Sequence, residues 1–245
     1  MSFDVFLYYL CCKQDIFNTL AKNQLVFVKK IEVAVIRFVL SLLLVSTASH
    51  SSNINIVVTD NQQVPMSNVV VYLLGKDTPA APSNSMAIMD QVNTQFAPHI
   101  LAVQKNTQVS FPNSDSIQHH VYSFSSAKAF ELELYKGLRA NPLLFDKLGV
   151  VEMGCNVHDW MLGYIYVVDT PYFAKTDQQG SVSMQVPDGE YIIKAWHPRI
   201  SDTPESFQKT MPVQGDSHET MQVPSALLPD VNAYENNSDE FGEYE

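Results

Sequence analysis

The stretch Gly154-Cys155-Asn156-Val157-His158-Asp159-Trp160-Met161-Leu162-Gly163 decides how the rest of the chain is read. It sets a thiol, an imidazole and a thioether within seven residues and then runs into the apolar segment Tyr164–Val168. Soft sulfur and imidazole donors suit copper far better than magnesium or calcium, which take oxygen ligands. A thiolate and two imidazoles in one plane, with a long weak thioether on the axis, is the donor set of a mononuclear copper electron-transfer site. A second histidine must then come from elsewhere. His119-His120 supplies two candidates at the start of the apolar run His119–Phe124. Neighbouring side chains on a strand point to opposite faces, so only one of the two reaches the metal directly.

Other readings of these residues are weaker. A lone cysteine is usually a small core hydrophobe, and a lone methionine is core filler. Zinc would more often use further thiolates or histidines and rarely takes methionine. A thiol nucleophile needs a positioned base and usually an oxyanion hole, and nothing assigns His158 to that work. No catalytic residue and no small-molecule substrate are expected.

Cysteine usage supports ligation. Two of the three cysteines, Cys11 and Cys12, lie upstream of a leader-like segment. That segment has Lys29-Lys30, then Val33–Val45, apolar except for Arg37 and Ser41, then the small residues Ser46-Thr47-Ala48-Ser49. This is the pattern of a secretory signal peptide at about residues 28–49, and the apolar run is too short and interrupted to favour a membrane span. Translation is expected to start near Val28, with export to the periplasm; an uncleaved membrane anchor is the alternative. The mature chain would keep Cys155 alone, a thiol with no disulfide partner in an oxidising compartment, and ligation gives it a reason to be there.

Outward from the loop, the texture is short strands and turns. Expected strands are Ile100–Val103, Gln108–Phe111, His119–Phe124, Gly149–Glu152 and Tyr164–Val168 around the loop. Further strands are expected at Ile54–Val58, Val69–Leu74, Ser181–Val186 and Tyr191–Trp196. The polar, proline-rich stretch Lys76–Ser85 reads as a linker. The chain is all-β on this reading. Its 26 acidic and 15 basic residues give a formal net charge of −11, which argues against a nucleic-acid partner because no basic stripe exists to displace phosphate counterions. Six carboxylates in the last sixteen residues mark 229–245 as a solvated tail.

Two family resemblances can be given on these residues. Gly-Cys-x-x-His-x-x-Met before a strand, with Asn113-Ser-Asp-x-x-x-His119-His120-Val121 upstream, resembles the plastocyanin/amicyanin-like cupredoxins. The likeness extends over most of residues 86–168, including Phe96-x-Pro98 and Val109-x-Phe111-x-Asn113. The wider arrangement is similar to bacterial proteins labelled methylamine-utilisation protein. The cupredoxin resemblance implies a Greek-key β-sandwich holding one copper ion. In the family pattern His-Asn-Val the first residue is the ligand, so the implied set is His119, Cys155, His158 and Met161. It also places His120 where the family has an Asn tying the ligand loops together. His120, Asn113, Asp159 and Trp160 are the implied neighbours of the ligands.

Separately, Val58-x-Asp60-x-x-x-x-Pro65-x-x-x-Val69-Val-Val and Thr176-Asp177-x-x-Gly180 with Pro187-x-Gly189-x-Tyr191 resemble the two halves of a carboxypeptidase-regulatory-like (transthyretin-like) sandwich. That layout makes residues 79–171 a cupredoxin domain inserted between the halves 53–78 and 172–224, an insertion tolerated when its ends lie close together.

The expected function is one-electron transfer in the periplasm with a redox protein partner. The alternatives are a copper carrier or sensor that passes no electrons, and a partner-binding sandwich in which copper is structural. His99 and His197 are expected to be structural, the latter at the domain junction.

Overall fold

The computed structural model describes residues 51–76, 85–138 and 141–230, and every regular element in them is a strand. The expected leader and most of the acidic tail and linker lie outside the described residues. No helix among the described residues is long and apolar enough to cross a membrane. The described residues belong to one compact unit with three apolar clusters.

The chain opens with β1 (Ser51–Thr59) and β2 (Val70–Gly75). Ten short strands follow: β3 (Met86–Ile88), β4 (Asp90–Val92), β5 (Gln95–Ala97), β6 (Ile100–Gln104), β7 (Thr107–Ser110), β8 (His119–Phe124), β9 (Ala129–Tyr135), β10 (Leu143–Phe145), β11 (Gly149–Cys155) and β12 (Leu162–Val168). It closes with β13 (Phe173–Lys175), β14 (Ser181–Pro187), β15 (Gly189–Trp196), β16 (Gln208–Val213) and β17 (Ser217–Gln222).

The first and last groups share one core. The order β14-β1-β17 makes one sheet and β13-β2-β15-β16 another. Alternation on β1 and β14 turns Ile54, Ile56, Val58, Val182, Met184 and Val186 onto Leu73, Tyr191 and Ile193 of the second sheet. Two aspartates shape the connections: Asp60 Oδ1 accepts the N–H groups of Gln62 and Val64, and Asp177 Oδ1 those of Gln179 and Ser181. Gly180, at φ 70°, has no room for a Cβ, which would lie 2.5 Å from the Val58 carbonyl oxygen.

The middle strands enclose a second core. A five-stranded sheet, β6-β12-β11-β8-β9, faces the three-stranded sheet β10-β7-β3. Between them lie Phe111, Val121, Phe145, Val151, Met153 and Ile165, together with Cys155 and Met161. β12 pairs parallel with β6 and antiparallel with β11, and it is buried on both faces, Ile165 and Val167 turning into this core. Its other face carries Tyr164, Tyr166 and Val168, which meet Val70, Tyr72 and Trp196 in the third cluster. Trp196 stacks on Tyr166 at 4.6 Å between ring centroids, and the Tyr72 and Tyr166 hydroxyls lie 3.2 Å apart. Burial, the main cause, and contact with Tyr166 push the Tyr72 phenol well above the usual range.

Candidate metal centre

Cys155 ends β11 on the inward phase of Val151, Met153 and Cys155. Its backbone is set opposite Val121 on β8. The chain then turns back: the Asn156 N–H donates to the His120 carbonyl at 3.0 Å, and the Met161 N–H to the His158 carbonyl at 3.0 Å. Glycines at both ends of the loop allow close approach. A Cβ on Gly154 would lie 2.8 Å from the Tyr122 ring, and one on Gly163 2.8 Å from Phe96. On β8 the alternation puts His119 and Val121 inside and His120 and Tyr122 on the outer side.

The three side chains converge. His119 Nδ1 lies 3.1 Å from His158 Nδ1, and Cys155 Sγ lies 3.8 Å from the former and 3.9 Å from the latter. His119, Cys155 and His158 are the cluster of potential metal-ligating side chains found among the described residues. A triangle of those sides is acute, and the point equidistant from its corners lies about 2.1 Å from each atom, within the ~2.0–2.3 Å range of metal–nitrogen and metal–thiolate bonds. Two imidazole lone pairs at 3.1 Å repel unless a proton or a metal ion lies between them. The donor set and its spacing therefore fit a single soft or borderline metal ion. Met161 is buried in the same core as Cys155 and follows His158 by one tight turn.

His119 is fully buried and its far side is occupied. Its Nε2–H donates to Asp115 Oδ2 at 2.8 Å, which leaves Nδ1 bare as the donor toward the triangle. Asp115 is itself held by the N–H groups of Asn93 at 2.6 Å and Thr94 at 2.9 Å. Burial alone would raise its pKa; hydrogen bonds from Thr94, His119 and Asn93 outweigh that and hold the carboxyl below the usual carboxylate range. Asp115 stands in the upstream motif Asn113-Ser-Asp, where the sequence alone assigns it no role. The available signal is a carboxylate four residues before a candidate histidine ligand, since a ligating imidazole usually donates its other N–H to an oxygen.

The remaining expected neighbours fall in different places. Trp160 packs on His158 at 5.2 Å between rings and stays half exposed. Asn113 is buried but serves the upstream loop: its amide donates to the carbonyls of Ile117 and Tyr135, and its oxygen accepts the Asp115 N–H. The His120 side chain faces away and meets Glu131 Oε1 at 2.7 Å, so it joins the ligand loop only through its carbonyl. Asp159 is exposed and makes no side-chain hydrogen bond among the described residues. His99 and His197 line a separate cleft between the two cores.

No protein family and no curated protein matches the chain. Among solved structures it is similar to a purple cupredoxin from Nitrosopumilus maritimus, 21% identical, covering 34% of this chain and 99% of that one, with a TM-score of 0.30. It is similar to an amicyanin variant in its oxidized state at 18% identity, covering 40% and 98%, with a TM-score of 0.32. A Cu-containing nitrite reductase from Thermus scotoductus is 18% identical, covering 46% of this chain and 28% of its own, with a TM-score of 0.33. Overlaps of this size decide nothing about the centre, whose chemistry has to come from the side chains of this chain.

Proposed function

We propose that this chain is an exported one-electron carrier whose His119, Cys155, His158 and Met161 hold one copper ion. The observation that carries the reading is the triangle of two Nδ1 atoms and one Sγ, spaced to reach a common ion, with His119 and Cys155 buried and His158 part-exposed. Copper in such a donor set would alternate between Cu(I) and Cu(II), passing one electron each time.

The residues explain why the exchange would be fast. A donor geometry acceptable to both oxidation states leaves little to rearrange, and here both imidazoles are fixed from outside: His119 by Asp115, His158 by packing against Trp160. The core around Cys155 and Met161 excludes water, so neither sulfur is displaced by solvent. Trp160 at the surface brings His158 within one ring of solvent, which suits contact with a redox protein partner.

The same reading takes the middle strands, residues 79–171, as an inserted cupredoxin domain and the flanking segments as a transthyretin-like sandwich. It takes the leader at about residues 28–49 as a cleaved signal; mass spectrometry of the mature protein should find an N-terminus near residue 50, and a start upstream of residue 40 would contradict export by cleavage.

Redox cycling separates an electron carrier from a copper carrier or sensor. Copper-loaded protein should be bleached by one equivalent of reductant and restored by one of oxidant, with the ion retained throughout. Release of the ion on reduction would contradict the carrier assignment.

A further inference from the structure

We propose that the Asn93–Thr94 turn and Asp115 form a bracket that sets both imidazoles of the centre, Thr94 being a positioning residue; this rests on the copper reading above. β4 and β5 are joined by the two-residue turn Asn93-Thr94, with φ of 52° and 56°. Two positive φ values define the hairpin turn whose preferred sequence is Asn-Gly. Asn tolerates this conformation. Thr is β-branched and is strained there, and glycine would remove the strain.

Thr94 has a methyl and a hydroxyl where glycine has neither, and the hydroxyl is engaged. Its oxygen accepts the Trp160 Nε1–H at 3.4 Å while its proton goes to the Asn93 carbonyl at 2.7 Å. Trp160 packs on His158. On the other side, the N–H groups of Asn93 and Thr94 hold the Asp115 carboxylate, which accepts the His119 Nε2–H. One strained turn thus reaches both imidazoles, one through Asp115 and one through Trp160. Strained non-glycine residues persist where the surroundings hold them, and they gather at functional sites. A turn that merely closed a hairpin would gain from glycine, which keeps both backbone donors and gives up the side chain, whereas serine keeps the hydroxyl and gives up only the methyl.

The test sets two readouts against each other. In Thr94→Gly the urea midpoint of the metal-free protein should hold or rise, while Cu(II) affinity, measured by competition with a chelator, should fall roughly tenfold and the visible band should shift. Thr94→Ser should restore affinity and band. Trp160→Phe should cost less in the Thr94→Gly background than in the parent protein. A Thr94→Gly protein with parental affinity and spectrum overturns the bracket and leaves the copper reading standing, as does one that loses affinity only in step with its fold. If the parent protein takes up no Cu(II), the copper reading falls and the bracket with it.

Discussion

Adjacent histidines at 119 and 120 have opposite fates because a strand alternates its side chains. His119 enters the core and meets His158, whereas His120 turns to Glu131 on the outer side. Their replacement should therefore differ sharply. His119→Gln should abolish tight Cu(II) binding, and His120→Gln should leave affinity and spectrum within about twofold of the parent because its side chain touches no ligand; equal losses in a chelator-competition titration would show the wrong histidine assigned. Met161→Leu conserves volume in a packed core, so it should cost less than about 1.5 kcal/mol in a denaturant melt. It should keep the visible band and raise the reduction potential. The Cys155–His158–Met161 spacing was legible because it is local. It did not show Asp115 at work, because its anchors, the N–H groups of Asn93 and Thr94, are more than twenty residues away and carry no side-chain signature.

Elements with strong apolar alternation were legible before the structure. The expected strand His119–Phe124 matches β8 end for end, and Ile100–Val103 and Tyr164–Val168 differ from β6 and β12 only at their ends. What escaped has a physical cause. β9 pairs His119 with Tyr135 but Val121 with Leu132, an extra residue that breaks the two-residue period. Leu134 is consequently 51% exposed and Tyr135 turns inward, its hydroxyl donating to the Phe111 carbonyl at 2.8 Å. β16 and β17 are edge strands with few buried side chains, so no hydrophobic period marks them. At this scale Gly163 lies close against Phe96, whose side chain an added Cβ would meet at 2.8 Å. Gly163→Ala forces that ring off its seat and should destabilise the protein by about 1–3 kcal/mol, read as a lower urea midpoint. An unchanged midpoint would show that Phe96 moves freely.

Across the whole molecule, the third apolar cluster makes the two cores interdependent. An excised fragment 85–169 would expose Ile100, Tyr164, Tyr166 and Val168 together, a patch that soluble monomers rarely present. It should aggregate where the full chain does not; a soluble, monomeric fragment by light scattering would contradict this. The cleft beside that cluster gives a pH dependence. Burial, the main cause, with Arg199 and His99 adding to it, lowers His197 from 6.5 to about 4. Its folded pKa lies below the unfolded one, so between these values the unfolded chain binds more protons. Stability should be full above pH 6.5 and decline as pH falls toward 4, by at most about 3 kcal/mol from this group. His197→Gln should flatten the urea midpoint across that window, and an unchanged slope would assign the loss elsewhere.

The central claim, that Cys155 and two histidines share one copper ion, has a direct optical test. Cu(II) added to reduced, metal-free protein should give an intense band near about 600 nm at one equivalent, from thiolate-to-copper charge transfer, and Cys155→Ser should bind without it. A folded, reduced protein that stays colourless, or a band that survives in Cys155→Ser, would contradict the account.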